Sequence, residues 1–208
     1  MKRVIIAILC FSALSFSVFA TSADCWKVFA FEGENSFESV DGNDTKFIHS
    51  MGLNYSTYKF EPHRFLGLYA GSSLYFPYKL TNEVSNEEYD RSDFNFLIGY
   101  RGTIGPALKF PVLPLLTLKV AAGFSFGTLL ITDDNYRNFD INLGIGGDLG
   151  LRLSLTRNWS LECGTKVGYD FFNYHFTKVY GHKDNGRTKD YRVLRMDPYI
   201  GFGYSYSR

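Results

Sequence analysis

Between residues 24 and 207 the chain keeps returning to one pattern, in which bulky apolar residues alternate one by one with small or polar ones. A period of two is the period of a strand, whose successive side chains point to opposite faces. Eight such stretches are predicted, approximately from Asp24 to Gly33, Lys46 to Phe60, Arg64 to Tyr78, Ser92 to Gly105, Leu115 to Ile131, Ile141 to Leu155, Trp159 to Phe176 and Arg192 to Ser207. Most are 14 or more residues long, against roughly 5 to 6 in ordinary globular sheets. The first is the weakest, because Phe29 and Phe31 compete with Trp26 and Val28 for its apolar face. Its assignment rests partly on the even strand number of closed barrels.

The run PVLPLLTLKVAAGFSFGTLLI, mostly apolar over about 20 residues, has the length of a membrane helix. Two prolines, the central Lys119 and the glycines Gly123 and Gly127 argue for a strand instead. In that reading Leu116, Leu118, Val120, Ala122, Phe124 and Phe126 form one face, and Thr117, Lys119, Ala121, Gly123, Ser125 and Gly127 the other.

Alternation does not say which face is outside, since a soluble barrel buries its apolar face and a membrane barrel turns it to lipid. Residue size decides. The polar face is crowded with Gly67, Gly71, Gly99, Gly144, Gly146, Gly150, Gly164, Gly168, Gly201 and Gly203. Small residues suit the cramped interior of an eight-stranded barrel, whereas glycine on an exterior only weakens a strand. The predicted fold class is therefore all-β, an eight-stranded antiparallel up-and-down transmembrane β-barrel with its apolar face outward.

Charges within the strands then gain a location. Arg101, Lys119, Asp148, Arg152, Glu162, Lys166, Asp170, Arg195 and Asp197 all fall on the small-residue face and are expected to meet inside the lumen. A tight turn over Thr156, Arg157 and Asn158 would set Arg152 opposite Glu162 and Asp148 opposite Lys166, both pairs of opposite sign. Unpaired charges in so narrow a space are expensive, and a satisfied network is not. A plugged lumen is expected rather than an open pore.

The connections fall into two classes. Glu61 to His63, Pro106 to Pro114 and Thr156 to Asn158 are compact or proline-bearing, whereas Glu34 to Thr45, Lys79 to Arg91, Thr132 to Asp140 and Thr177 to Tyr191 are polar and mostly longer. They alternate, which in an up-and-down barrel gathers short turns at one end and long loops at the other.

Met1, Lys2 and Arg3 precede an apolar run from Val4 to Ala20 that ends on small residues, the layout of a secretory signal peptide. Residues 1–20 are expected to be removed, leaving 21–208 as one barrel domain in the outer membrane. Loss of Lys2 and Arg3 takes the formal net charge from +1 to −1, and neither value supports a polyanion partner, so nucleic acid is excluded. Of three cysteines, Cys10 leaves with the signal. Cys25 and Cys163 fall on strands one and seven, which closure does not pair, and no disulfide is expected.

The chain ends YIGFGYSYSR. Tyr199, Gly201, Tyr204 and Tyr206 resemble the C-terminal assembly signal of bacterial outer-membrane barrels, with Ser207 and Arg208 running past the usual terminal aromatic and Pro198 departing from an ideal strand. At the level of architecture the chain is similar to the small barrels of the OmpX, OmpW and OmpA transmembrane-domain type. The resemblance implies the barrel assembly machinery and outer-membrane lipid as partners, and a monomer.

Signals for chemistry are thin. His49, His63, His175 and His182 lie in different segments, none at metal-ligand spacing from a second ligand on a shared strand face. His175 with Thr177 is similar to the His-x-Ser pair of lipid A deacylase barrels, with Thr in place of Ser and no orienting acid. Catalytic residues, cofactors and metals are therefore expected to be absent. The expected role is a structural scaffold presenting surface loops, with an extracellular ligand held through them. A narrow OmpW-like channel for small hydrophobic molecules is the next reading, then a lipid-modifying barrel enzyme, then a secreted soluble ligand-binding barrel.

Overall fold

The computed structural model describes residues 24–40, 44–61, 64–82, 87–134, 136–179, 187–188 and 191–207. The expected signal segment 1–20, and His63 and His182, lie outside these residues. Eight long strands follow one another: β1 (Asp24–Val40), β2 (Asp44–Phe60), β3 (Leu66–Asn82), β4 (Phe96–Leu113), β5 (Leu116–Thr132), β6 (Tyr136–Ser154), β7 (Trp159–Val179) and β8 (Tyr191–Ser207). Each pairs antiparallel with the next, and β8 also pairs with β1, so the sheet closes on itself and keeps no long free edge. Short strands Glu87–Asp90 and Arg187–Thr188 lengthen the wall beside β3 and β7.

The outer face carries the large apolar residues. Phe31 is 72% exposed, Phe124 66%, Met51 64% and Phe202 61%, while the small and charged residues between them point inward. In β1 the ambiguity resolves with Phe29 and Phe31 outside and Trp26, Val28, Glu32 and Glu34 inside.

Several strands are longer than the alternation of apolar residues suggests. A 17-residue strand such as β2, rising about 3.3 Å per residue and tilted about 40°, stands about 43 Å tall, whereas the apolar band of such barrels is about 25 Å. Beyond the band both faces are polar, so the periodicity fades although the ladder continues. Hence β1 runs to Val40 and β6 begins at Tyr136, where loops were expected from Glu34 and up to Asp140. Two of the four expected long connections shrink to residues 41–43 and 133–135, leaving 83–95 and 180–190 as the long ones.

Proline did not stop the strands either. β4 passes through Pro106 and Pro111; its ladder to β5 lapses at Gly105 and Pro106, resumes in the same register, and shifts by one residue at Val112 beside the turn. At the closing seam the ladder between β1 and β8 lapses at Gly33 and Glu34, opposite Asp197 and Pro198, and again resumes unshifted. A missing N–H donor removes a rung without moving the strand. Gly201 permits the closure itself: a Cβ there would strike the backbone of Phe29 and Ala30 on β1.

Two bulges change which residues face inward. Phe171 has no partner between Asp170 and Phe172, so Asp170 and Asn173 both point in while Phe171 and Phe172 both point out. Tyr78 does the same in β3, turning Leu80 toward the lumen near the loop end.

Candidate functional site: the filled lumen

Inward residues of all eight strands meet in a space with little room, and glycines make what room there is. A Cβ on Gly99 would run into the Tyr75 ring, and one on Gly168 into the Arg195 guanidinium. The side chains stack in layers from the turn end to the loop end.

At the turn end Trp26, Tyr58 and Phe60 form an aromatic layer, with Trp26 and Phe60 centroids 4.8 Å apart and Tyr58 4.9 Å from Tyr69. Cations cover it: Arg152 sits 4.1 Å from the Trp26 centroid, Lys119 4.5 Å from that of Tyr58, and Lys109 4.8 Å from that of Phe60. Desolvated contacts of this kind are worth about 2 kcal/mol each. Trp26 lies inside because it falls on the inward parity of β1, with Val28 and Ala30.

Above lies the first charged layer. Glu162 is held by Lys119 at 2.9 Å and Arg152 at 3.8 Å, and accepts from Ser160 at 2.8 Å. Asp148 accepts from two tyrosines, Tyr58 at 2.7 Å and Tyr199 at 2.9 Å. Lys166 reaches Glu32 at 2.6 Å and Ser73 at 3.3 Å. Register sets Arg152 opposite Glu162 and Asp148 opposite Lys166; the first pair is in contact, but among the described residues the second is not formed. Lys166 goes to β1 rather than to Asp148, because in so narrow a lumen a long side chain reaches past the adjacent strand.

A second charged layer follows. Arg101 contacts Glu34 at 2.5 Å and lies 5.1 Å from the Tyr75 centroid. Arg195 donates to both oxygens of Asp170, at 3.1 and 3.0 Å, and to Ser125 at 2.8 Å, with Asp197 at 3.9 Å. Fork-to-carboxylate bonding of this kind fixes geometry as well as charge.

The loop end holds an apolar cluster beside the buried Asp140. Ile48, Leu97, Leu129 and Ile131 pack with Tyr75, Leu80 beside them, and Phe94 enters from the segment that follows the short 3-10 turn Arg91–Asp93. That segment is tied across the rim by Asn95, which donates to Asp134 at 2.6 Å.

Each of the nine residues expected in the lumen, Arg101, Lys119, Asp148, Arg152, Glu162, Lys166, Asp170, Arg195 and Asp197, is 9% exposed or less. Sequence reasoning missed Glu32, Glu34 and Asp140, which are buried with them, and the tyrosines Tyr58, Tyr69 and Tyr75. Buried charge on the described residues is thus five cations (Arg101, Lys119, Arg152, Lys166, Arg195) against seven carboxylates (Glu32, Glu34, Asp140, Asp148, Glu162, Asp170, Asp197). The signal for the glutamates was present: Glu32, Glu34 and Ser36 continue the parity of Val28 and Ala30. Of the C-terminal residues, Tyr199 and Gly201 face in, while Tyr204 packs outside against Trp159 at 5.2 Å and Tyr206 against Lys27 at 5.4 Å.

Inside this packing a cavity of about 10 Å³ lies among Tyr69, Ser73, Arg101, Thr103, Lys166 and Asp197. Among the described residues no group of three or more His, Cys, Asp and Glu is arranged to hold a metal. The side chains of His175 and Thr177 lie outside the described residues.

No protein-family model matches the chain. No curated protein matches it either. Solved structures do. The outer membrane protein OprG from Pseudomonas aeruginosa aligns with a TM-score of 0.59 at 11% identity, over 90% of this chain and 97% of that one. Neisserial surface protein A aligns with a TM-score of 0.58 at 15% identity, over 87% and 97%. The outer membrane protein AlkL, solved in lipid bilayers, gives 0.55 at 13% identity, over 92% and 94%. The likeness is one of fold: this chain has the architecture of the small eight-stranded outer-membrane barrels, with the outward apolar band that such a fold presents to lipid.

Proposed function

We propose that the protein is an integral outer-membrane barrel that acts as a closed structural scaffold, holding loops at the surface rather than passing solutes through its lumen. The observation that carries this reading is the filled interior. Charged layers are paired across strands, an aromatic layer lies below them and an apolar cluster above, and the cavity among Tyr69, Ser73, Arg101, Thr103, Lys166 and Asp197 is only about 10 Å³. The localisation rests on the outward apolar band and on the fold shared with OprG and AlkL, both outer membrane proteins. Loops that a rigid barrel displays are the part free to take a ligand. The role is proposed as non-enzymatic, with outer-membrane lipid and the barrel assembly machinery as partners and the monomer as the working unit.

Solute flux tests it. Proteoliposomes carrying the mature protein are expected to swell in an iso-osmotic sugar no faster than protein-free liposomes; faster swelling contradicts the reading.

A second reading, a narrow conduit for small hydrophobic molecules, draws on the apolar mouth formed by Ile48, Leu97, Leu129 and Ile131. Against it stand the two charged layers beneath, which offer an apolar solute no path. Transfer of a small alkane or aromatic probe into proteoliposomes, faster than into protein-free ones, would favour it.

A further inference from the structure

We infer that the lumen holds one buried water molecule at mid-height, accepting a hydrogen bond from Arg101 Nε–H and donating one to Asp197 Oδ1. Both atoms are buried without a hydrogen-bond partner among the described residues, and both side chains line the same cavity of about 10 Å³. Arg101 is 5% exposed and Asp197 3%. A void of about 10 to 15 Å³ on this measure is the smallest that takes a water, and a water needs two to four polar partners.

The chemistry of the two orphans selects the occupant. A guanidinium nitrogen only donates and a carboxylate oxygen only accepts. Chloride would suit Arg101 but would face the Asp197 carboxylate. Sodium would suit Asp197 but would face Arg101, Lys166 and Arg195. A water satisfies both at once, since it accepts with one lone pair and donates with one hydrogen. Ser73 supplies a third partner: its oxygen already accepts from Asn54 at 3.0 Å and from Lys166 at 3.3 Å, which leaves its hydroxyl hydrogen free to donate toward the cavity. The water thereby joins the Arg101–Glu34 pair on β4 and β1 to the Arg195–Asp197 group on β8.

Layers of side chains stand between the site and each mouth. Below it lie Trp26, Tyr58 and Phe60, and above it Ile48, Leu97, Leu129 and Ile131. A water there exchanges slowly with bulk, which makes it visible. This inference builds on the closed-lumen reading.

The test is magnetisation transfer from water to the arginine Nε–H resonances of the full mature protein in detergent micelles, with Arg101→Lys identifying the Arg101 signal by its loss. The expected result is a cross-peak at the water frequency with the sign of a long-lived bound water, unchanged when chloride is replaced by sulfate. Absence of that cross-peak overturns the proposal, and so does a chloride-dependent shift of the Arg101 signal, which would assign the site to an anion. Asp197→Leu is the second variant. In a barrel that still shows heat-modifiable mobility it should abolish the cross-peak, and persistence would overturn the assignment. If instead the closed-lumen reading itself is wrong, fast-exchanging water contacts appear along the whole inner wall and not at Arg101 alone.

Discussion

Lys166 Nζ lies 2.6 Å from Glu32 Oε2, so the seventh strand is tied to the first across the inside of the barrel, past the eighth strand that separates them in the sheet. The contact is buried, with the two side chains 11% and 2% exposed. It couples the stability of the lumen to the closing seam of the barrel.

Removing one partner of a buried pair leaves a charge without compensation, at about 3 to 5 kcal/mol. Glu32→Gln and Lys166→Met should each lower the temperature at which the folded form converts to the unfolded band on gels. The double variant should recover most of the loss. Simple additivity of the two would show that the pair carries no coupling.

Among the described residues Asp148 is held by hydroxyls, accepting from Tyr58 and Tyr199. Asp148→Leu strands both hydroxyls in a buried setting, for about 1 to 3 kcal/mol each, while Asp148→Asn keeps one acceptor oxygen and loses less. Thermal unfolding of the two variants, compared with the parent, reads the difference. Equal losses would mean that the tyrosines find other partners.

The room that Gly99 leaves for the Tyr75 ring predicts that Gly99→Ala destabilises by about 1 to 3 kcal/mol through overpacking. Adding Tyr75→Leu should relieve it. If the double variant is worse than Gly99→Ala alone, the ring does not occupy the space that the glycine vacates.

Salt should matter little to this barrel. Glu162 with Lys119, and Glu34 with Arg101, are paired at side-chain exposures of 6% or less, and buried pairs are screened far less than surface ones. The heat-conversion temperature should stay nearly constant between about 0.05 and about 1 M sodium chloride. A steep fall with salt would place the stabilising charge on the rim instead.

Closed antiparallel architecture was legible because lipid and lumen impose opposite demands on alternate residues, and β5 shows both at once, Leu118, Val120 and Phe124 outward against Lys119, Ala121 and Ser125 inward. Strand ends were not legible, since above the apolar band water meets both faces and residues such as Asn35, Glu38 and Ser39 read as loop while still bonded in a ladder. Glu34 fell in the expected loop for the same reason, and Glu32, inside the expected strand, went unassigned because Phe29 and Phe31 compete with Trp26 and Val28 for its apolar face. The bulges at Tyr78 and Phe171 are silent in sequence, because a single unpaired residue changes parity without any marker residue. Arg152 with Glu162 could be read from register, but the partners of Lys166 and Arg101 could not, because register gives strand neighbours and these two side chains reach across the lumen.

Planar-bilayer recording of the unmodified mature protein bears most directly on the closed lumen. With the charged layers paired and an aromatic and an apolar layer on either side, no steady conductance steps are expected above the lipid baseline. Opening should require removal of side chains from more than one layer, such as Phe60→Ala combined with Leu129→Ala and Arg101→Ala. Reproducible steps from the unmodified barrel would contradict the account, and the conduit reading would take its place.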